Sequence, residues 1–293
     1  MRLSARLLTT AAVVATALTL TTGQALAEPA FDSGFNDVVG TGSDTTEIYL
    51  QRAANDFNSG RTGEDIRLVS FDATGTSTID IRPGITINRP NGSSSGITTL
   101  KNNPDVDFAR SSRPKATSDG NLDFYVFAKD TQRYATATTS NVPDGLTAAQ
   151  LKEIYTCTAT AVQGLAPKLP QAGSGSRAFF LSQIGVTEQQ AQAATCVSLV
   201  QENDPAAVQG NPAALVPFSV GRFNAGQGIK LNTTGYAPAR ELFNVVRGGA
   251  LASSTTLRTL FGPATQGGFL CNNPGLITGA GFQPVANCGQ PVG

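Results

Sequence analysis

Short apolar runs alternate along the chain with amphipathic stretches, and small polar turns separate them. Val38 and Val39 end a predicted strand. A helix then opens at Asp44, where Asp44 and Glu47 have the spacing of a capping box and Tyr49, Ala53 and Phe57 recur at helical intervals. Residues 66 to 71 alternate as a strand, whereas the Thr-, Gly- and Pro-rich stretch that follows predicts no element. Ile97 and Leu100 mark a second helix, and Val106 and Phe108 a strand. Residues 122 to 128, LDFYVFA, form the most apolar strand candidate. Residues 144 to 157 read as a helix capped by Thr147 and Gln150, and Phe179, Phe180 and Ile184 define the next one. A helix over about 187 to 201, again with a Thr-x-x-Gln cap at Thr187, and strands at 214 to 220 and 242 to 246 complete the series. Alternation of this kind, without a solenoid repeat, predicts an α/β fold.

The turns that open these helices carry the candidate chemistry. Gly173-Ser174-Gly175-Ser176 precedes an apolar helix directly, with Arg177 beside it. The first amides of a helix lack internal partners and sit at the positive end of its dipole, so a glycine-containing turn there lets an oxyanion approach them. The construction recurs at Ser43-Asp44-Thr45, at Ser93-Ser94 and, after a strand, at Arg110-Ser111-Ser112. Each turn alone is equally an ordinary capped helix start, or a short Ser/Gly linker at residues 92 to 96. Ligands of open α/β sheets bind beyond the carboxyl ends of strands, and four such turns can converge there on one small anion.

Composition narrows the function. Arg2 and Arg6 before an Ala- and Leu-rich run, with Ala25-Leu26-Ala27 after it, form a secretory signal peptide pattern over residues 1 to 27. The expectation is a secreted, extracytoplasmic protein without a lipid-anchor cysteine. The 21 basic residues are matched by 21 acidic ones, which gives no footprint for nucleic acid. With no histidine, Ser-His-Asp and zinc-hydrolase chemistry are excluded. Ser112 to Lys115 matches S-x-x-K, but Pro114 and the missing partner motifs argue against a serine hydrolase. Four cysteines in an exported chain favour disulfides over metal ligation. They allow three pairings, and proximity in sequence selects Cys157 with Cys196 and Cys271 with Cys288.

GTGSDTTE, RPNGSSSGI, VDFARSSR, GLTAAQLKEIY, GSGSRAFF and NPAALVPFSVGR, in this order, resemble the phosphate-binding proteins of ABC importers. The resemblance implies a two-domain periplasmic-binding-protein-like fold of type II, with a ligand cleft between domains and two interdomain crossovers. Residues 28–136 plus 235–293 would form one domain and 137–234 the other. It implies capture of inorganic phosphate for a membrane permease, no catalysis, no cofactor and a monomer. Ser174, Gly175 and Ser176 would bind phosphate from one domain, Ser93 and Ser94 from the other, and Thr45, with Asp44 or Thr46, at the first helix start. Two positions depart from the family pattern: Pro170 replaces an arginine, and Ser112 replaces an aspartate that accepts the proton of hydrogen phosphate. Arg177 or Arg110 would then supply the charge, and Asp44 the acceptor. The alternatives are another oxyanion or small anionic solute, or a secreted receptor without a transport partner.

Overall fold

The computed structural model describes residues 29, 31–159 and 163–292; the signal-peptide expectation lies outside these. In the first part of the chain β1 (Val38–Gly42) pairs in parallel with β2 (Leu68–Ser70) and β5 (Phe108–Ser111). β3 (Thr78–Arg82) and β4 (Ile85–Asn88) form a separate hairpin. This hairpin occupies the stretch for which the sequence predicts no element. Its signal is the alternation of Ile79, Ile81, Ile85 and Ile87 about Pro83-Gly84, and Gly84 has the positive φ of +74° that the tight turn requires.

β6 (Leu122–Ala137) is a single 16-residue strand, longer than the seven residues of the apolar run. β7 (Ala166–Pro170), β8 (Ser198–Val200) and β9 (Ala214–Ser219) follow, then β10 (Ile229–Leu231) and β11 (Ala239–Arg247). The main sheet runs β2-β1-β5-β11-β6-β9-β7-β8. β6 joins its two halves: residues 122 to 131 pair with β11, and residues 132 to 136 with β9.

The apolar cores divide in the same way. Around the first half, Tyr49 stacks on Phe127 with centroids 4.7 Å apart, and Phe108, Phe124, Phe243 and Phe261 are buried. Around the second, Tyr155, Phe180 and Tyr236 meet edge to face. Tyr134, Leu151, Leu169 and Leu215 pack with them. Each such side chain, once buried, contributes about 1.5–3 kcal/mol. The chain passes between the halves within β6 and again before β11, giving an α/β fold of two lobes with two crossovers.

Five helices position the turns: α1 (Glu47–Phe57), α2 (Ser93–Asn102), α3 (Ala148–Tyr155), α4 (Gly175–Ile184) and α5 (Glu188–Ala193). α3 and α5 carry the expected Thr-x-x-Gln capping boxes at Thr147 and Thr187. α5 stops at Ala193 rather than near 201, because the chain turns to bring Cys196 to Cys157 and then enters β8. Cys271 pairs with Cys288, so both bridges follow sequence proximity.

Candidate functional site

The first-lobe turns meet at the carboxyl ends of β1 and β5. Gly42, at φ +122°, lies against Gly96 of α2 so closely that a Cβ on Gly96 would sit 2.5 Å from the Gly42 Cα. Two glycines therefore let helix and strand cross with no side chain between them. This brings Ser93 over the end of β5, where its Oγ accepts from the Ser112 amide at 3.0 Å. Ser43 Oγ donates to Ser112 Oγ at 3.1 Å, and the hydroxyls of Ser93 and Ser112 lie 3.4 Å apart. All three serines are fully buried.

The second lobe presents the start of α4 to this cluster. Ser174 caps the helix by accepting from the Arg177 amide at 3.0 Å. A Cβ on Gly175 would lie 2.3 Å from both Ser93 Oγ and Ser112 Oγ, so only glycine fits between the lobes here. The lobes also join through the Ser94 amide, which donates to Gly173 O at 3.0 Å. Asn91 Nδ2 donates to Gln201 Oε1 at 2.8 Å, and Thr45 Oγ1 lies 3.3 Å from Ser176 Oγ.

Beside the hydroxyls lies a buried layer of charge. Glu202, only 1% exposed, accepts at Oε1 from the Ser176 amide and from Thr45 Oγ1, both at 3.1 Å. Asp44 accepts from Asn203 Nδ2 at 2.7 Å and faces Arg222, whose Nη2 lies 3.4 Å from Asp44 and 3.1 Å from Glu47. Burial pushes the Asp44 pKa up to about 8 against the pull of Arg222, with Glu47 and Glu202 raising it further, so Asp44 is mostly protonated at neutral pH. Burial also opposes the charge of Arg222, but Asp44, Glu47 and Glu202 outweigh it and its pKa is raised. Arg240 pairs with Asp130 at 2.9 Å, both nearly inaccessible, and donates to Thr45 Oγ1 at 3.2 Å and to Ser112 O at 3.4 Å.

No family model and no curated protein matches the sequence. Solved structures do match. A phosphate ABC transporter substrate-binding protein from Clostridium perfringens, with bound phosphate, superposes with a TM-score of 0.63 at 16% identity, over 85% of this chain and 99% of that one. An ABC-type phosphate transport receptor from Vibrio cholerae superposes with a TM-score of 0.60 at 20% identity, over 85% and 100%. The fold is that of type II periplasmic binding proteins. Identities this low establish the fold alone. A peroxide-bound OxyR from Corynebacterium glutamicum also matches, with a TM-score of 0.52 at 10% identity, over 84% of this chain and 67% of that one. The binding-protein architecture is thus shared with a protein of another name, and the site has to argue for itself.

Within this binding-protein fold, Ser43, Ser93, Ser112 and Gly175 come together in one cluster, and Thr45 and Ser176 meet beside it. Ser174 is the cap of α4, and Ser94 Oγ accepts from Arg113 Nε at 2.9 Å. Asp44 lies in the acidic layer; the expected capping box with Glu47 is absent, since α1 starts after Thr46 without a side-chain cap and Glu47 instead accepts from the Ala73 amide and Arg222. The two arginines named from sequence have other partners. Arg110 donates to Ser70 Oγ and to the carbonyls of Phe71, Ser43 and Gly42, tying β1, β2 and β5 together. Arg177 donates to Pro170 O and pairs with Glu188. Ser112 to Lys115 continues past β5 outside any helix, so it lacks the helical turn that sets an S-x-x-K lysine over its serine.

Sequence reasoning missed Glu202, Asn203, Arg222, Arg240 and Asp130. Arg222 closes the NPAALVPFSVGR run, which is the one signal that pointed toward it. The others are scattered polar and charged residues whose convergence depends on tertiary structure.

Proposed function

We propose that the protein captures a small oxyanion, inorganic phosphate first, in the cleft between its lobes. It then delivers the ligand to an ABC-type permease from outside the cytoplasm. The observation that carries this reading is the convergence of the Ser43, Ser93 and Ser112 hydroxyls on Gly175 at the amino end of α4, with Thr45 and Ser176 alongside. Hydroxyls and helix-start amides from both lobes form a donor set suited to a tetrahedral anion. Arg222 supports the reading, because its Nη1 is a buried donor with no hydrogen-bond partner among the described residues. The similarity to the two phosphate transport receptors supports it at the level of fold. The lobes are taken as residues 28–136 plus 235–293 and residues 137–234, hinged within β6 and just before β11. Among the described residues no helix is long and apolar enough to cross a membrane, and a secreted monomer remains the expectation.

A second reading keeps the site and changes the anion. Pro170 and Ser112 stand where the family places a cation and a proton acceptor, and the acidic side chains of Asp44, Glu47 and Glu202 crowd the donors. Calorimetric titration of the purified protein, unfolded and refolded to strip carried-over ligand, separates the two. The expected result is one-to-one phosphate binding that sulfate does not compete away. A folded protein that ignores phosphate but binds another oxyanion establishes the second reading.

A further inference from the structure

The carboxylate of Glu202 occupies the place where the donors of both lobes meet. Its Oε1 takes the Ser176 amide at the start of α4 and the Thr45 hydroxyl of the first lobe, so this one oxygen bridges the cleft. These are donors of the kind an oxyanion requires. Its other oxygen, Oε2, is buried and has no hydrogen-bond partner among the described residues. Buried carboxylate oxygens are normally paired, and an unpaired one at a donor-rich helix start marks a position shared with something else. The segment that carries it is held from both sides. The Glu202 amide donates to Gln171 Oε1 at 2.8 Å, the Ser219 amide donates to Asn203 Oδ1 at 2.9 Å, and Asn203 adopts a positive φ of +52°. Only the side chain is left to move.

Charge argues that Glu202 and a ligand exclude each other. The guanidinium of Arg222 already faces Asp44, Glu47 and Glu202, the fully buried Arg110 is shared with Glu47 and Asp44, and Arg240 is paired with Asp130. A second anion placed beside an ionised Glu202 would meet repulsion in a poorly screened interior.

We propose that Glu202 is a tethered occupant of the oxyanion site: without ligand its carboxylate takes the Ser176 amide and the Thr45 hydroxyl and links the lobes, and an oxyanion binds by taking over those donors. Glu202 therefore sets the threshold affinity and holds a ligand-free closed form. This rests on the oxyanion-capture reading.

The test compares wild type, Glu202→Gly and Glu202→Gln by calorimetry with inorganic phosphate and with sulfate. Small-angle scattering of each protein is recorded with and without phosphate. The glycine variant is expected to bind phosphate at least tenfold more tightly, with Gln, which keeps the shape and loses the charge, in between. The ligand-free glycine variant should be more expanded than wild type and should contract on adding phosphate. Wild type that binds phosphate, with variants that bind no better, overturns the inference and leaves the capture reading standing. A Glu202→Gly protein that alone binds supports the inference and removes the wild type from high-affinity uptake. Folded proteins that all ignore both anions overturn both. If the glycine variant fails to fold, a Gln variant no tighter than wild type still overturns the inference.

Discussion

The two lobes meet through turns that look alike in sequence and are built in opposite ways. Gly40 to Glu47 and Gly173 to Arg177 are both Gly- and Ser-containing entries to a helix. The second-lobe turn obeys local rules: Ser174 accepts from the Arg177 amide, Gly173 takes a φ of +87°, and the Ser176 amide is left to donate to Glu202 Oε1. The first-lobe turn obeys tertiary ones. α1 has no side-chain cap, and the residues that local rules would use as caps are drawn away, Asp44 to Asn203 and Arg222 and Glu47 to Ala73 and Arg222. One turn is a donor array set by its own residues. The other is an acid cluster that distant side chains hold in place.

The largest expected effect comes from removing that distant support. Asp130→Ala would leave Arg240 charged and unpaired where its side chain is 1% exposed, and Arg240 also braces Thr45 and Ser112. Loss of one partner of a buried pair costs about 3–5 kcal/mol. Urea unfolding should show it, with much of the loss recovered when Arg240→Met is added. A single variant within about 0.5 kcal/mol of wild type, the range usual for a surface substitution, would mean that the first-lobe turn holds itself.

Asp44 gives the next effect, through pH. Burial raises its pKa from 3.8 to about 8, so between those values the folded protein holds a proton that the unfolded chain has lost. Stability is then fully present below the unfolded value and falls as pH rises through the window, by up to about 1.4 kcal/mol per pH unit. Asp44→Asn should flatten the difference between pH 5 and 7 when denaturation midpoints are followed. Parallel curves for the two proteins would show Asp44 ionised at neutral pH, with Arg222 outweighing desolvation.

The same division explains what was legible in the sequence. The alternation of elements, the caps at Thr147, Thr187 and Ser174, and the proximity pairing of the cysteines are local, and the structure has them. The full length of β6 was not legible. Past Ala128 its residues, such as Lys129, Asp130 and Gln132, read as polar, yet Asp130 and Gln132 are buried by Arg240, Tyr236 and Ser176. In the site the hydroxyls and Gly175 were visible because turn chemistry names them. The role of Glu202 was not, because its partners Thr45 and Ser176 lie 157 and 26 residues away. Arg177 drew attention by standing beside a turn and pairs with Glu188, while Arg222 and Arg240, which pair with Glu47 and Asp130, arrive from elsewhere.

The smallest effect separates the two turns most cleanly, because it compares equivalent positions. Ser174 and Thr46 are the N-caps of α4 and α1. Ser174→Ala removes a made bond to the Arg177 amide and should cost about 1 kcal/mol. Thr46 is fully buried, makes no side-chain cap bond, and its Oγ1 has no hydrogen-bond partner among the described residues. Thr46→Val keeps the shape and removes a hydroxyl whose burial is uncompensated, so it should be neutral or slightly stabilising. Shifts of the denaturant midpoint at constant m measure both. Equal losses at the two positions would show that the Thr46 hydroxyl has a partner after all, and the first-lobe turn would then be a capped helix start like the second.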